Sequence, residues 1–133
     1  DEEVFEPMAK LHPYLEDLRQ TRKSLNDLGR FGSYLGKDGF KIQVFLTPGH
    51  SPGSVCLYLP DTKVLITGDV IFFMSVGRTD FPGGSTILLK ESIDKISQLD
   101  VEYLVPGHNT EPNGIIQGKD RIKRNFAAVQ EYF

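Results

Sequence analysis

Apolar residues along the chain follow two rhythms. From Pro13, the leucines Leu15, Leu18, Leu25 and Leu28 recur at helical spacing, with Glu16, Asp17, Arg19, Arg22 and Lys23 between them. Proline suits a first helical position and Gly29 can end the helix, so an amphipathic helix is predicted from Pro13 to Leu28. The glycine-rich stretch Arg30 to Gly39 then reads as a loop. Beyond it the rhythm changes to short β-branched and aromatic runs, Lys41 to Leu46, Ser54 to Leu59 and Lys63 to Thr67. These predict three strands, the last two joined as a hairpin across the Pro-Asp-Thr turn.

Helical spacing returns at Leu89, Ile93 and Ile96, with Ser85 or Thr86 placed to cap the helix. A short strand is expected over Tyr103 to Val105. A last helix should place Ile122, Phe126, Val129 and Phe133 on one face. The order is helix, three strands, helix, strand, helix, which is an α/β layer arrangement. A single domain over 1–133 is expected, with a lead-in over 1–40, a core over 41–110 and a C-terminal helix over 111–133.

Composition narrows the functions open to such a chain. Its 133 residues are 39% hydrophobic and 25% charged, ordinary for a soluble globular domain. A formal charge of -3 provides no basic field for nucleic acid, so a small-molecule substrate is expected instead. No apolar run approaches the roughly 18 to 20 residues that cross a bilayer, and the opening DEEVFEPMAK lacks the pattern of a signal peptide. The single cysteine, Cys56, cannot form an internal disulfide, and the expected location is cytoplasmic. The first residue is Asp1 and not a methionine, from which an upstream segment is expected.

The chemistry concentrates in three places. Two of the three histidines close the same local sequence after a predicted strand: Thr-Pro-Gly-His ends at His50 and Val-Pro-Gly-His at His108. A Pro-Gly pair turns the backbone sharply, so the next imidazole can be held at the sheet edge and aimed at a shared centre. Imidazole is a common ligand of zinc and iron. Asp69, in Leu-Ile-Thr-Gly-Asp-Val, stands at a third strand end, where a carboxylate can cap a turn or bridge two divalent ions roughly 3.5 to 4 Å apart. His12, alone at the start of the first predicted helix, reads as a cap or surface residue.

Taken in order, TPGHSPGS, LITGD, GRTDFPGG and, after a helix, LVPGH resemble the metallo-β-lactamase superfamily over about Lys41 to Thr110. The closest likeness is to the branch of glyoxalase II-type thioesterases and persulfide dioxygenases. The resemblance implies the second half of a four-layer αβ/βα sandwich, with metals at the edge shared by two similar halves. It further implies that His50 and His108 each complete one metal site and that Asp69 bridges them. Two zinc ions are implied, with manganese or iron as alternatives. The superfamily's His-x-His-x-Asp-His motif, which supplies the remaining ligands, is absent from this sequence. Zinc sites need at least three protein ligands, so metal binding by the chain as it stands is expected to be weak or absent.

Several neighbours bear on mechanism. Arg78 and Asp80 can form a loop salt bridge, but the resemblance places the Gly-Arg segment along the active site, and Gly-Arg-Thr-Asp-Phe is closest to the persulfide dioxygenases. Thr47 is expected to hydrogen-bond a ligand or the backbone beside His50. Ser51 and Ser54 have no G-x-S-x-G elbow and no spare histidine as base, which disfavours serine catalysis. Cys56, alternating with Val55 and Leu57, is expected in the core. The implied activity of the intact protein is hydrolysis of a thioester or similar ester by a metal-activated water. Iron-dependent persulfide oxidation and an inactive interaction module of the same fold are the alternatives. A lone half should expose the apolar second face of its sheet, which points to a homodimer or to association with the missing N-terminal half.

Overall fold

The computed structural model describes residues 33–35, 41–107 and 114–133. The helix predicted from Pro13 to Leu28, His12 and His108 lie outside the described residues.

The main sheet contains β1 (Ser33–Leu35), β2 (Lys41–Leu46), β3 (Val55–Leu59), β4 (Val64–Gly68), β7 (Tyr103–Pro106) and β8 (Ile116–Gln117), in the spatial order β1-β2-β3-β4-β7-β8. A two-stranded hairpin, β5 (Ile71–Phe72) and β6 (Ser75–Val76), stands apart from it. The two described helices are α1 (Thr86–Ile96) and α2 (Lys119–Gln130). Strands β1 to β4 pair antiparallel in succession. The chain then crosses through β5, β6 and α1, so that β7 returns parallel to β4.

The predicted strands and α1 form within one or two residues of the expected bounds, whereas α2 occupies only Lys119–Gln130 of the 111–133 expected as the C-terminal helix. The side chain of Ser85 caps α1 by accepting from the Leu88 amide. Two expectations fail: the span expected as the C-terminal helix contains β8, paired with β7, and the glycine-rich stretch contains β1, whose Ser33, Tyr34 and Leu35 pair with Gln43, Ile42 and Lys41 of β2. A three-residue strand is too short to show alternation, and it forms because β2 offers a backbone edge to pair with.

The strand runs read as continuously apolar because both faces of the sheet are filled. Cys56, Tyr58, Leu65, Leu104 and Ile116 turn to one side, where Leu89, Ile93 and Ile96 of α1 and Ile122, Phe126 and Val129 of α2 cover them. Ile42, Val44, Leu57, Leu59 and Val64 turn to the other and cluster with Val55, Ile66, Tyr103 and Val105. The widely exposed second face expected of a lone half is not found at those five positions, each 7% exposed or less. Among the described residues the large apolar side chains that stand exposed include Leu46 at the end of β2, Phe73, Met74 and Phe81 in turns, Ile87 in the first turn of α1, and Tyr132 and Phe133 after α2. No described helix is long and apolar enough to cross a membrane.

Candidate metal centre

Three strand ends converge at one edge of the sheet, as the sequence suggests. Asp69 leaves β4 through a bulge: Ile66 pairs with Val105 and Gly68 with Pro106, so Thr67 is an extra residue against β7. Bulges bend a strand and re-aim the side chains that follow it. Here the bulge is pinned by the buried Thr67, whose hydroxyl donates to the Ile71 carbonyl at 2.9 Å while its own carbonyl accepts from the Val70 amide. The Gly107 amide donates to the Gly68 carbonyl at 2.7 Å. That contact draws the Val-Pro-Gly segment of β7, up to the residue before His108, against the root of Asp69.

His50 is brought in from β2 by the Thr-Pro-Gly turn. The turn is tied to α1 at two adjacent residues: Ser85 donates its amide to the Gly49 carbonyl, and Ser92 donates its hydroxyl to the Pro48 carbonyl at 2.7 Å. His50 Nδ1 lies 2.8 Å from the backbone oxygen of Arg78. A carbonyl can only accept, so Nδ1 carries the hydrogen, and in the neutral ring the lone pair is on Nε2. That nitrogen lies 3.7 Å from Asp69 Oδ2, beyond a hydrogen bond. Both side chains remain open to solvent.

A histidine whose far nitrogen is fixed by a backbone carbonyl, with its near lone pair beside a carboxylate, is the usual arrangement of a metal ligand and its support. The nitrogen and oxygen donors suit zinc, iron or manganese. Among the described residues no group of three His, Cys, Asp or Glu side chains comes together to hold an ion. The donor pair therefore fits two of the three expected ligands, and the third, His108, is outside the described residues.

The side chains of the remaining candidates are engaged with other partners. The Arg78 guanidinium forks onto Asp80, with Nε to Oδ1 at 2.7 Å and Nη2 to Oδ2 at 2.6 Å, and stacks 4.0 Å above the Phe81 ring. Hydrogen bonds from Arg78 hold the Asp80 carboxyl down to about 2. Thr47 is fully buried, its single hydroxyl hydrogen shared between the Ser54 carbonyl at 3.3 Å and Cys56 Sγ at 3.4 Å. Burial pushes the Cys56 thiol up to about 12, outweighing the Thr47 hydrogen bond, so it is an inert core residue as expected. Ser51 and Ser54 share a hydrogen bond of 2.7 Å with each other.

Two supporting features escaped the sequence reading. Gly77 permits a close approach: a Cβ there would stand 1.9 Å from the Asp69 carbonyl oxygen and 3.2 Å from His50 Nδ1. Asn125, buried in the middle of α2, donates from Nδ2 to the Phe72 carbonyl at 3.0 Å and accepts at Oδ1 from the Met74 amide at 2.8 Å. A polar residue inside the apolar stripe of Ile122, Phe126 and Val129 was the available sign of it.

With this geometry, the sequence profile of the metallo-beta-lactamase superfamily matches residues 12–108. The chain belongs to that superfamily. The probable metallo-hydrolase YqgX of Bacillus subtilis is 38% identical over 99 residues, covering 73% of this chain and 47% of its own length. The hydroxyacylglutathione hydrolase GloC of Haemophilus influenzae is 38% identical over 81 residues, covering 59% of this chain and 38% of its own. Among solved structures, TTHA1623 in a di-iron-bound form is 38% identical, with a TM-score of 0.51 over 57% of this chain and 37% of that one. The superfamily chain described here thus spans less than half the length of these relatives. Its α/β fold covers part of a metallo-beta-lactamase domain, and the relatives include a glyoxalase II-like member.

Proposed function

We propose that this chain is the later portion of a metal-dependent hydrolase acting on a thioester or similar small-molecule ester. The observation that carries the reading is the placement of His50 Nε2 beside Asp69 Oδ2, with Nδ1 of the same ring committed to the Arg78 carbonyl. His50, Asp69 and His108 would be the metal ligands, Asp69 being the one shared between two ions. A bound divalent ion supplies a water acidified toward neutrality and a positive charge for the carbonyl oxygen. The protein's own part is to hold the imidazole in one tautomer, to present the carboxylate from the bulge, and to line the approach with Arg78, Asp80 and Phe81. GloC, a hydroxyacylglutathione hydrolase by name, supports the thioester class. The His-x-His-x-Asp-His ligands would come from a longer chain or a second polypeptide, as the partial coverage of the relatives suggests; a homodimer is the other arrangement proposed.

Intact mass and metal analysis of the product of the whole gene, with a thioester hydrolysis assay, test the proposal. About two zinc, manganese or iron ions with hydrolysis support it. A single iron with oxygen consumption on a glutathione persulfide would replace it with the dioxygenase that the Gly-Arg-Thr-Asp-Phe string resembles. A product that binds no metal would leave an interaction module of the same fold.

A further inference from the structure

We infer that Asn125, on α2 and outside the metal-ligand motifs, is a positioning residue for the metal centre, acting through the β5–β6 hairpin. The inference rests on the metal-centre reading above. The hairpin is the covalent link between the two supports of that centre. Asp69 lies two residues before β5, and Arg78, whose carbonyl orients His50, lies two residues after β6. Its strands are only two residues long, pairing Ile71 with Val76 and Phe72 with Ser75, and the Gly77 amide closes the base on the Val70 carbonyl at 3.2 Å. So short a ladder cannot hold its own shape in water.

The turn also works against itself, because Met74 has φ of 58°, a left-handed conformation unfavourable for a side chain of its size. Both of its backbone polar groups are claimed by the C-terminal segment: the amide donates to Asn125 Oδ1 and the carbonyl accepts from the Tyr132 hydroxyl at 2.8 Å. Asn125 spans the turn, since its Nδ2 holds the Phe72 carbonyl. A carboxamide offers a donor and an acceptor on separate atoms, which suits the two backbone groups it meets and accounts for an Asn on an otherwise apolar helix face. Ile122, Phe126 and Val129 anchor α2 to the core, and Ile71 is buried in that same core, so Asn125 and Tyr132 fix the turn of a hairpin whose base the sheet already holds.

The test is cobalt(II) titration of the whole-gene protein, following affinity and the d–d absorption band, for wild type, Asn125→Ala, Tyr132→Phe and Gln130→Ala. Gln130 is on the same helix but bonds Asp94 of α1, so it controls for general loosening of α2. Asn125→Ala should weaken cobalt binding by about 10-fold or more and alter the band, as loss of outer support does to metal sites. Tyr132→Phe, at an exposed position, should weaken it by a smaller factor, and Gln130→Ala should match wild type. If Asn125→Ala binds like wild type, or loses no more than Gln130→Ala at equal loss of thermal stability, the inference is overturned. If Asn125→Ala does not fold, Tyr132→Phe decides, and unchanged affinity there overturns it. Wild-type protein that takes up no cobalt sinks the metal centre itself and the inference with it.

Discussion

The ring of His50 is held from the side facing away from Asp69, by the backbone oxygen of Arg78 at 2.8 Å, while Nε2 stands 3.7 Å from Asp69 Oδ2. Residue 78 therefore holds His50 through its main chain, and its guanidinium is engaged elsewhere, with Asp80 and Phe81. The two roles separate in a variant. Arg78→Ala keeps the carbonyl, so metal affinity should fall by much less than the roughly 10- to 100-fold expected when a partner of a ligating histidine is removed. Its effect should appear in KM, through loss of the stacked, charged loop at the approach. Equilibrium dialysis with zinc checks this, and a 100-fold loss of zinc affinity would show that the side chain itself holds the centre.

Gly77 fits between the two supports with no room for a methyl group, a Cβ there falling 1.9 Å from the Asp69 carbonyl oxygen. Gly77→Ala must displace backbone on one side or the other. Overpacking of this kind costs about 1 to 3 kcal/mol, and the contact with backbone puts the expected loss at the upper end. Gly53 makes the control, because a Cβ at that position meets nothing within 4 Å. Urea denaturation should show a clear drop in midpoint for Gly77→Ala and little change for Gly53→Ala; equal midpoints would contradict the packing described.

Much of this arrangement is legible in the residues themselves. The strand runs, the Ser85 cap and the strand ends bearing His50 and Asp69 follow from local pattern, because alternation and turn chemistry act over a few residues. What escapes local reading depends on distant contacts. Strand β1 exists only by pairing with β2, and β5 and β6 are two residues each, too short to register as a pattern. The bulge at Thr67 appears only when β7 lies alongside β4. Asn125 looks like a misplaced polar residue until Phe72 and Met74, more than 50 residues earlier, are seen to need it.

Cys56 supplies a chemical check on the core around the Thr47 turn. With burial raising the thiol to about 12, iodoacetamide at pH 8 should leave native protein unmodified and label it fully in denaturant. The same shift has a consequence for stability. The unfolded thiol ionises near 9.0 while the folded one stays protonated to about 12, so the folded state binds more protons between these values. Its contribution is complete below pH 9 and is lost as pH rises toward 12. Cys56→Ala should lack this alkaline component in a series of denaturation curves from pH 8 to 11. Rapid native labelling at pH 8 would mean the thiol is not buried as described.

Asp80 behaves in the opposite sense. Hydrogen bonds from the Arg78 fork favour the carboxylate and bring its midpoint from an ordinary 3.8 to about 2. The unfolded state thus binds the proton first as pH falls, so the ion pair's contribution is intact above about pH 4 and disappears between there and pH 2. Both side chains are more than half exposed, at 59% and 63%, and solvent screening keeps that contribution small. Two results should follow. A carbon-detected NMR titration should place the Asp80 carboxyl midpoint near 2, moving toward 3.8 in Arg78→Ala. Any loss of hydrolysis on acidification from pH 7 to pH 5 should be the same in wild type and Asp80→Asn, since Asp80 does not titrate in that range. An Asp80 midpoint above 4 in the wild type would mean that the Arg78 fork does not persist in solution.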